Sequence, residues 1–247
     1  MNSSSRRLDL FLMELGLAST RTKAQELIAG GKVSVNGKVV TKPGEKVSPE
    51  SMVTLSEKEH PYVSRGGVKL AGALDHFQIS VQGLRVLDVG QSTGGFTHCL
   101  LQRGAGNVVG VDVGRGQLSP LLRQNPQVIS FEKQDFRSLA PESIAPPFVF
   151  FVVDVSFLSL SLVLPVLPPF LSPSAQGIVL VKPQFEVGPD RIASGGIVRD
   201  AAAREWAVRQ VRSFCEKSRF TVAGEMPSPL CGGDGNMEFL LWLVRHS

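Results

Sequence analysis

From residue 85 onward the apolar residues fall into short continuous runs, each bounded by polar or turn-forming positions. Runs at 85–89, 107–113, 127–131, 148–153, 177–182, 220–225 and 238–244 have the length of strands. Helical or mixed patterns lie between most of them, including Asp200 to Lys217. Continuous apolar strands alternating with helices predict a sheet buried on both faces, with ligands outside the carboxyl ends of its strands. The last run follows its predecessor through Pro227–Asn236, which is rich in turn residues and has no helical pattern. That connection suits an antiparallel final strand. The predicted fold is therefore α/β, a seven-stranded Rossmann-like sheet with its last strand antiparallel, behind a small N-terminal α+β domain.

The N-terminal pattern has a different period. Leu8, Phe11, Leu12 and Leu15 recur at helical spacing, and Gly16 can close that helix in the left-handed conformation. Ser19 is the expected cap of a second helix that carries Ala24, Leu27 and Ile28 and ends at Gly30-Gly31. Val33, Val35, Val39 and Val40 flank Asn36-Gly37, the strongest short hairpin signal. Residues 56–63, charged and containing Pro61, read as a linker. The expected boundaries are 1–58 for the small domain, 59–63 for the linker and 64–247 for the sheet domain.

At 247 residues with 43% apolar content, the chain suits one large domain and a small partner. Its net charge of +4 is matched by the window Arg21–Lys46 alone, where six Lys or Arg face Glu26 and Glu45. Clustered base points to an acidic partner, foremost nucleic acid. Cys99, Cys215 and Cys231 are odd in number and widely spaced, so neither a disulfide framework nor a zinc site is expected, and a reducing cytoplasm is the natural setting. The four histidines have no metal-ligand spacing, so no metal is expected. The polar stretch Met1–Arg7 lacks the apolar core of a signal peptide. Phe148–Leu171 has one charge and the length of a membrane span, but Pro165, Pro168 and Pro169 break it. Asp154 near its centre would cost about 2.5–3.5 kcal/mol in a bilayer. The expectation is a buried strand over 148–153, then an acid, a loop and a short helix, without stable membrane insertion.

The stretch Arg85–Thr97 carries the most chemistry. Its apolar run contains Asp88 and leads into Gly90, Ser92, Thr93, Gly94, Gly95 and Phe96. A buried strand feeding a glycine loop and a helix brings backbone N–H groups to an anionic ligand. The spacing after Gly90 does not fit G-x-G-x-x-G, which argues against a dinucleotide. Asp112, about 20 residues on and followed by Val113, is placed to accept both hydroxyls of a ribose. That combination also describes the S-adenosylmethionine site of Rossmann-like methyltransferases. Four further charges fall at the active face of such a sheet: Lys69 before the first strand, Asp154 after the fourth, Lys182 after the fifth and Glu238 before the last.

Two resemblances follow from these residues. Arg7-Leu-Asp9, Gly16-Leu17, Arg21, Ala24, Leu27-Ile28, Gly31, Val33, Val35-Asn-Gly37 and Lys42-Pro-Gly44 resemble the S4-like RNA-binding domain, named after a ribosomal protein. Lys69, Asp154-Val-Ser-Phe157, Lys182-Pro-Gln-Phe-Glu186 and Glu238 resemble the FtsJ-like ribose 2′-O-methyltransferases. Joined to Ser64-Arg-Gly-Gly-Val-Lys69, Ser92-Thr-Gly-Gly-Phe96, Gly114-Arg-Gly-Gln-Leu118 and Gly235-Asn-Met-Glu238, the chain is similar nearly end to end to the TlyA family. Its members are called haemolysins or ribosomal RNA methyltransferases. The resemblance implies S-adenosyl-L-methionine as cofactor, ribosomal RNA or a ribosomal subunit as partner, and methylation of a cytidine 2′-hydroxyl.

A ribose hydroxyl is a poor nucleophile, so the protein must align it and remove or share its proton. Lys182 is the candidate base. A lysine in that role must fall from about 10.4 to roughly 7–8. Lys69 would push it that way, whereas Asp154 and Glu238 favour the charged form. The alternative is a charged Lys182 that only positions the hydroxyl or stabilises developing oxyanion charge. The loop Gly90–Phe96 is expected to hold the amino-acid end of the cofactor, Asp112 the ribose, and Asp135 with Phe136 the adenine edge, while Asp88 either organises the loop or touches the cofactor. Arg7, Arg21, Lys23, Lys32, Lys38, Lys42, Arg65 and Arg115 are the expected RNA contacts. Two alternative functions are an RNA-binding protein with a non-catalytic methyltransferase domain and a pore-forming haemolysin.

Overall fold

Along each central strand of the large unit, successive side chains enter two different cores. Val86, Val108, Phe150, Val152, Ile178, Leu180 and Leu240 pack on one face. Leu87, Val89, Val109, Val111, Phe151, Val153, Val179, Val181, Leu241 and Leu243 pack on the other. This period of two explains why the runs read as continuous apolar stretches rather than alternating ones. The computed structural model describes residues 5–18, 20–55 and 60–246, and the chain forms two compact units, Met1–Glu59 and His60–Ser247.

The small unit contains β1 (Arg6–Arg7), α1 (Leu8–Glu14), α2 (Arg21–Ala29), β2 (Val33–Val35), β3 (Lys38–Val40), β4 (Lys46–Val47) and β5 (Val53–Leu55). Gly16 closes the α1 turn at φ +68°. Thr20 caps α2, its Oγ1 accepting from Lys23 N at 3.1 Å. The expected cap, Ser19, lies outside the described residues. Asn36 and Gly37 both take positive φ, as a two-residue hairpin with native twist requires, and pair β2 with β3. Leu8, Phe11, Leu12, Ala24, Ile28, Val33, Val40 and Val47 form the core.

The large unit contains α3 (Gly66–His76), β6 (Arg85–Val89), α4 (Gly95–Gln102), β7 (Asn107–Val111), α5 (Pro120–Arg123), β8 (Val128–Phe131), β9 (Phe148–Val153), β10 (Leu171–Val181), α6 (Pro183–Glu186), α7 (Ala201–Lys217), β11 (Phe220–Pro227) and β12 (Phe239–Arg245). The sheet order is β11-β12-β10-β9-β6-β7-β8, with β12 antiparallel to both neighbours and the other ladders parallel. Seven strands with an antiparallel last one agree with the sequence reading. Residues of α3 and α4 cover one face, and α7 with the segment after β9 covers the other.

That segment departs from expectation. In place of a short helix it makes three 3₁₀ turns, Leu160–Leu162, Leu164–Val166 and Pro168–Phe170. The prolines that argue against a membrane span also prevent a continuous α-helix. Glu186 pins the first turn, accepting from Ser159 Oγ at 2.6 Å and Leu160 N at 2.9 Å, so it braces this layer. Among the described residues no helix is long and apolar enough to cross a membrane.

Candidate active site

The carboxyl ends of β6, β7 and β9 open onto a cleft of about 360 Å³. Gly90, Ser92, Asp112, Val113, Asp135, Phe136 and Asp154 line it, together with Val155, Ser156 and Phe157. A smaller recess of about 110 Å³ shares Gly90, Ser92 and Asp154 with the cleft and adds Ser64, Lys69, Thr93, Gly95 and Phe96. Gly90 stands where the loop leaves β6 at φ +88°, and a Cβ there would collide with the backbone carbonyl of Asp154. Only glycine accepts both the conformation and that approach.

Asp112 is held by the backbone it serves. Its Oδ2 accepts from Ser92 N at 2.8 Å and its Oδ1 from Gly114 N at 2.6 Å. Each oxygen keeps a second lone pair, so the carboxylate can still accept two hydroxyls. Asp135 is differently placed. Arg137 grips both its oxygens, with Nη2 at 2.6 Å, and these bonds hold the Asp135 carboxyl below the usual range. Any ligand amine at Asp135 therefore shares the carboxylate with a guanidinium. Phe136 is 5% exposed and its ring packs 4.6 Å from Phe170, so it borders the cleft from the core side.

Two of the candidate cofactor residues, Gly94 and Asp88, pack toward the interior. A Cβ at Gly94 would meet Leu118 and Leu122, so this left-handed glycine seats α4 against α5. Asp88 is fully buried and accepts from Thr97 Oγ1 at 2.6 Å. Thr97 in turn accepts from Gln91, whose Oε1 accepts from Ser130 Oγ at 2.6 Å. This chain ties the loop to β8. Sequence reasoning did not single out Gln91, Thr97 or Ser130 for it; the only signal is a cluster of polar residues inside an otherwise apolar neighbourhood.

Burial pushes the Asp88 carboxyl up to about 7 from an ordinary 3.8, and its Oδ1 has no hydrogen-bond partner. The fold therefore favours the neutral acid. Its stabilising contribution is complete below about pH 4 and is lost as pH rises through about 7. Asp88→Asn cannot ionise, so its stability relative to the parent is expected to improve by roughly 3 kcal/mol between pH 4.5 and pH 8. Thermal unfolding of both proteins across that range checks this; parallel pH curves would show that Asp88 does not titrate with folding.

The four ionic residues come from α3 and from the ends of β9, β10 and β12, and they form two ion pairs. Lys69, on α3 ahead of β6, pairs with Glu238 within the protein interior. Lys182 Nζ lies 2.7 Å from Asp154 Oδ1, an ion pair whose angles miss hydrogen-bond alignment, and donates to Ser156 Oγ at 2.7 Å. Burial raises the Glu238 carboxyl, opposed by Lys69 and by Lys182, while Asp154 adds to the rise. The two pairs thus feel one another. Ser156 and Phe157 stood in the Asp154-Val-Ser-Phe157 motif without a role of their own; Phe157 is 90% exposed at φ +60° with its ring 5.2 Å from Phe185.

Of the expected RNA contacts, Arg7 and Arg21 already bond the buried Asp9, at 2.9 and 3.1 Å, and each keeps about half of its side chain exposed. Arg7 holds Asp9 well below the usual carboxylate range. Lys23 pairs with Glu26. Lys38, Lys42 and Arg115 are exposed, Lys32 is half-buried, and Arg65 is exposed while donating to the Cys231 carbonyl at 2.9 Å.

Comparison with known proteins matches residues 62–245 to the FtsJ-like methyltransferase family and residues 6–53 to the S4 domain. A Mycobacterium tuberculosis relative named 16S/23S rRNA (cytidine-2′-O)-methyltransferase TlyA is 44% identical over 238 residues, covering 96% of this chain and 89% of the relative. A solved structure from Streptococcus thermophilus is 40% identical, with a TM-score of 0.79, and covers 99% of this chain and 90% of its own. An S-adenosylmethionine-dependent methyltransferase from Mesorhizobium loti shares the fold at 16% identity, with a TM-score of 0.51 over 70% of this chain and 96% of its own. With the family match spanning most of the chain and a near full-length relative at 44% identity, the chain belongs to the FtsJ-like methyltransferases, in their TlyA group with an N-terminal S4 domain.

Proposed function

We propose that this protein methylates the ribose 2′-hydroxyl of a ribosomal RNA cytidine, using S-adenosylmethionine, in the cytoplasm. The observation that carries the reading is the meeting of two ion pairs, Lys69–Glu238 and Lys182–Asp154, beside a glycine-lined cleft in a chain of this family. The S4 domain supports RNA as substrate, since ribosomal proteins of the small subunit share it. The free thiols Cys99, Cys215 and Cys231 suit a reducing compartment.

The cleft fits the cofactor by the chemistry of its lining. Asp112 offers two spare lone pairs for a ribose diol, Gly90 leaves room at the loop, and Asp154 Oδ1 lacks an aligned hydrogen bond where cleft and recess meet. Gly90 and Ser92 would hold the amino-acid end, Asp112 the ribose, and Val113, Asp135 and Phe136 the adenine. When bound, S-adenosylmethionine supplies a methyl group already activated for attack by its sulfonium.

The chain's own residues then supply alignment and a proton acceptor. Having first released its own proton to solvent, Lys182 Nζ would accept the proton of the 2′-hydroxyl, whose oxygen takes the methyl in place of the donor's sulfur. Asp154, at 2.7 Å, stabilises the ammonium so formed, and Ser156 keeps the amine oriented. Lys69, held by its buried pair with Glu238, lines the recess beside Asp154. Ribosomal RNA from cells lacking this protein is expected to lack specific ribose methylation at cytidines in the small- or large-subunit RNA, restored by the parent gene. An unchanged ribose methylation map would refute the reading.

A further inference from the structure

We propose that a groove on the methyltransferase unit, built around Arg191 and Trp206, binds an RNA strand flanking the methylated nucleotide; this rests on the ribosomal RNA methyltransferase reading above. The groove has a volume of about 680 Å³, and Arg191, Ile192, Arg199, Trp206 and Arg209 line it with the carboxylates of Asp190 and Asp200. It is separate from the cofactor cleft and shares none of its lining residues.

Three observations point to a nucleotide strand. The Arg191 guanidinium lies 4.5 Å from the centroid of the Trp206 ring. Trp206 is itself packed beside Val187, Val198, Ala203 and Ala207, so the indole is a fixed backing for that guanidinium. A guanidinium held over an indole offers a flat cationic surface on which a base stacks. Charge comes next. Asp200 spends its carboxylate on the N-terminus of α7, accepting from Ala202 N at 3.2 Å and Ala203 N at 3.1 Å. Arg199, by contrast, is exposed on the groove wall, where a phosphate oxygen can meet it.

The third observation is position. The wall segment 188–199 follows Lys182 after a single short helix, α6, that packs on α7. Its far end is tied to the other catalytic pair by Asn236, which is 1% exposed. Asn236 Oδ1 accepts from Val198 N at 2.9 Å and its Nδ2 donates to the Gly196 carbonyl at 2.9 Å. Glu238 lies two residues further along the chain. Short stretches of chain therefore tie the groove wall to Lys182 at one end and, through Asn236, to Glu238 at the other, so a strand in the groove would run toward the reacting ribose.

The test is the full chain carrying Arg191→Gln and Arg199→Gln, both surface changes. Steady-state methylation of purified ribosomal subunits and binding of deproteinised ribosomal RNA are measured across salt concentrations, with S-adenosylmethionine affinity as the check on folding. The expected result is KM for subunits raised and RNA affinity lowered by about tenfold, with a shallower salt dependence and unchanged cofactor affinity. Unaltered KM and RNA affinity would overturn the proposal. A raised KM for subunits with unaltered binding of naked RNA would overturn it too, assigning the groove to an acidic ribosomal protein. Failure of the parent protein to methylate any ribosomal RNA would sink the functional reading instead, and the RNA-binding comparison would still decide the groove.

Discussion

Lys182→Arg is expected to lower single-turnover methyl transfer by about 10²–10⁴-fold while S-adenosylmethionine binding stays near the parent value. Arginine keeps the positive charge and can still pair with Asp154, but its guanidinium does not lose a proton in a protein. The substitution therefore separates two roles that alanine removes together. If Lys182 takes the proton from the 2′-hydroxyl, arginine is as inert as alanine. If its charge merely orients the hydroxyl or steadies a developing oxyanion, arginine retains activity within about an order of magnitude. Rapid-quench transfer of a labelled methyl group distinguishes the two, and substantial turnover by the arginine variant would withdraw the base assignment.

Glu238→Ala is expected to destabilise the methyltransferase unit by about 3–5 kcal/mol and to abolish activity, because it strands the Lys69 ammonium in the interior. Lys69 and Glu238 have only 9% and 2% of their side chains exposed, so water cannot replace the lost partner. For a unit of this size that loss is a fall of roughly 10 °C in melting temperature. Adding Lys69→Met removes the stranded charge, and the double variant is expected to regain most of the stability without regaining turnover. Calorimetric melting beside the methylation assay reads both effects. If the double variant melts as low as the single one, the pair does not stabilise by mutual neutralisation.

The parts of the site that the sequence made legible share one property: they are charges where chance charges are costly. Asp154, Lys182 and Glu238 interrupt apolar runs, so their placement at strand ends could be read from the pattern alone. The Asn36-Gly37 hairpin was legible because its backbone demands are met by few residues. Who pairs with whom was not legible. Lys69 meets Glu238 across 169 positions of chain, and only the antiparallel insertion of β12 beside β10 brings them together. For Asp88 the sequence left two readings open, organising the loop or touching the cofactor, because a strand acid near its carboxyl end points either to the cleft or beneath it, and a single-residue change of register decides which. Arg7 and Arg21 illustrate the limit for surface charge. Both read as RNA contacts, yet both also hold Asp9, a commitment that sequence spacing does not display.

The contact between the Gly90 backbone and the Asp154 carbonyl has an evolutionary corollary. The loop proposed to hold the methyl donor and the segment that carries Asp154 touch with no intervening side chain. A mutation that shifts one displaces the other, so donor affinity and turnover form one heritable trait at this junction. Substitutions at this junction are therefore expected to disturb both functions together.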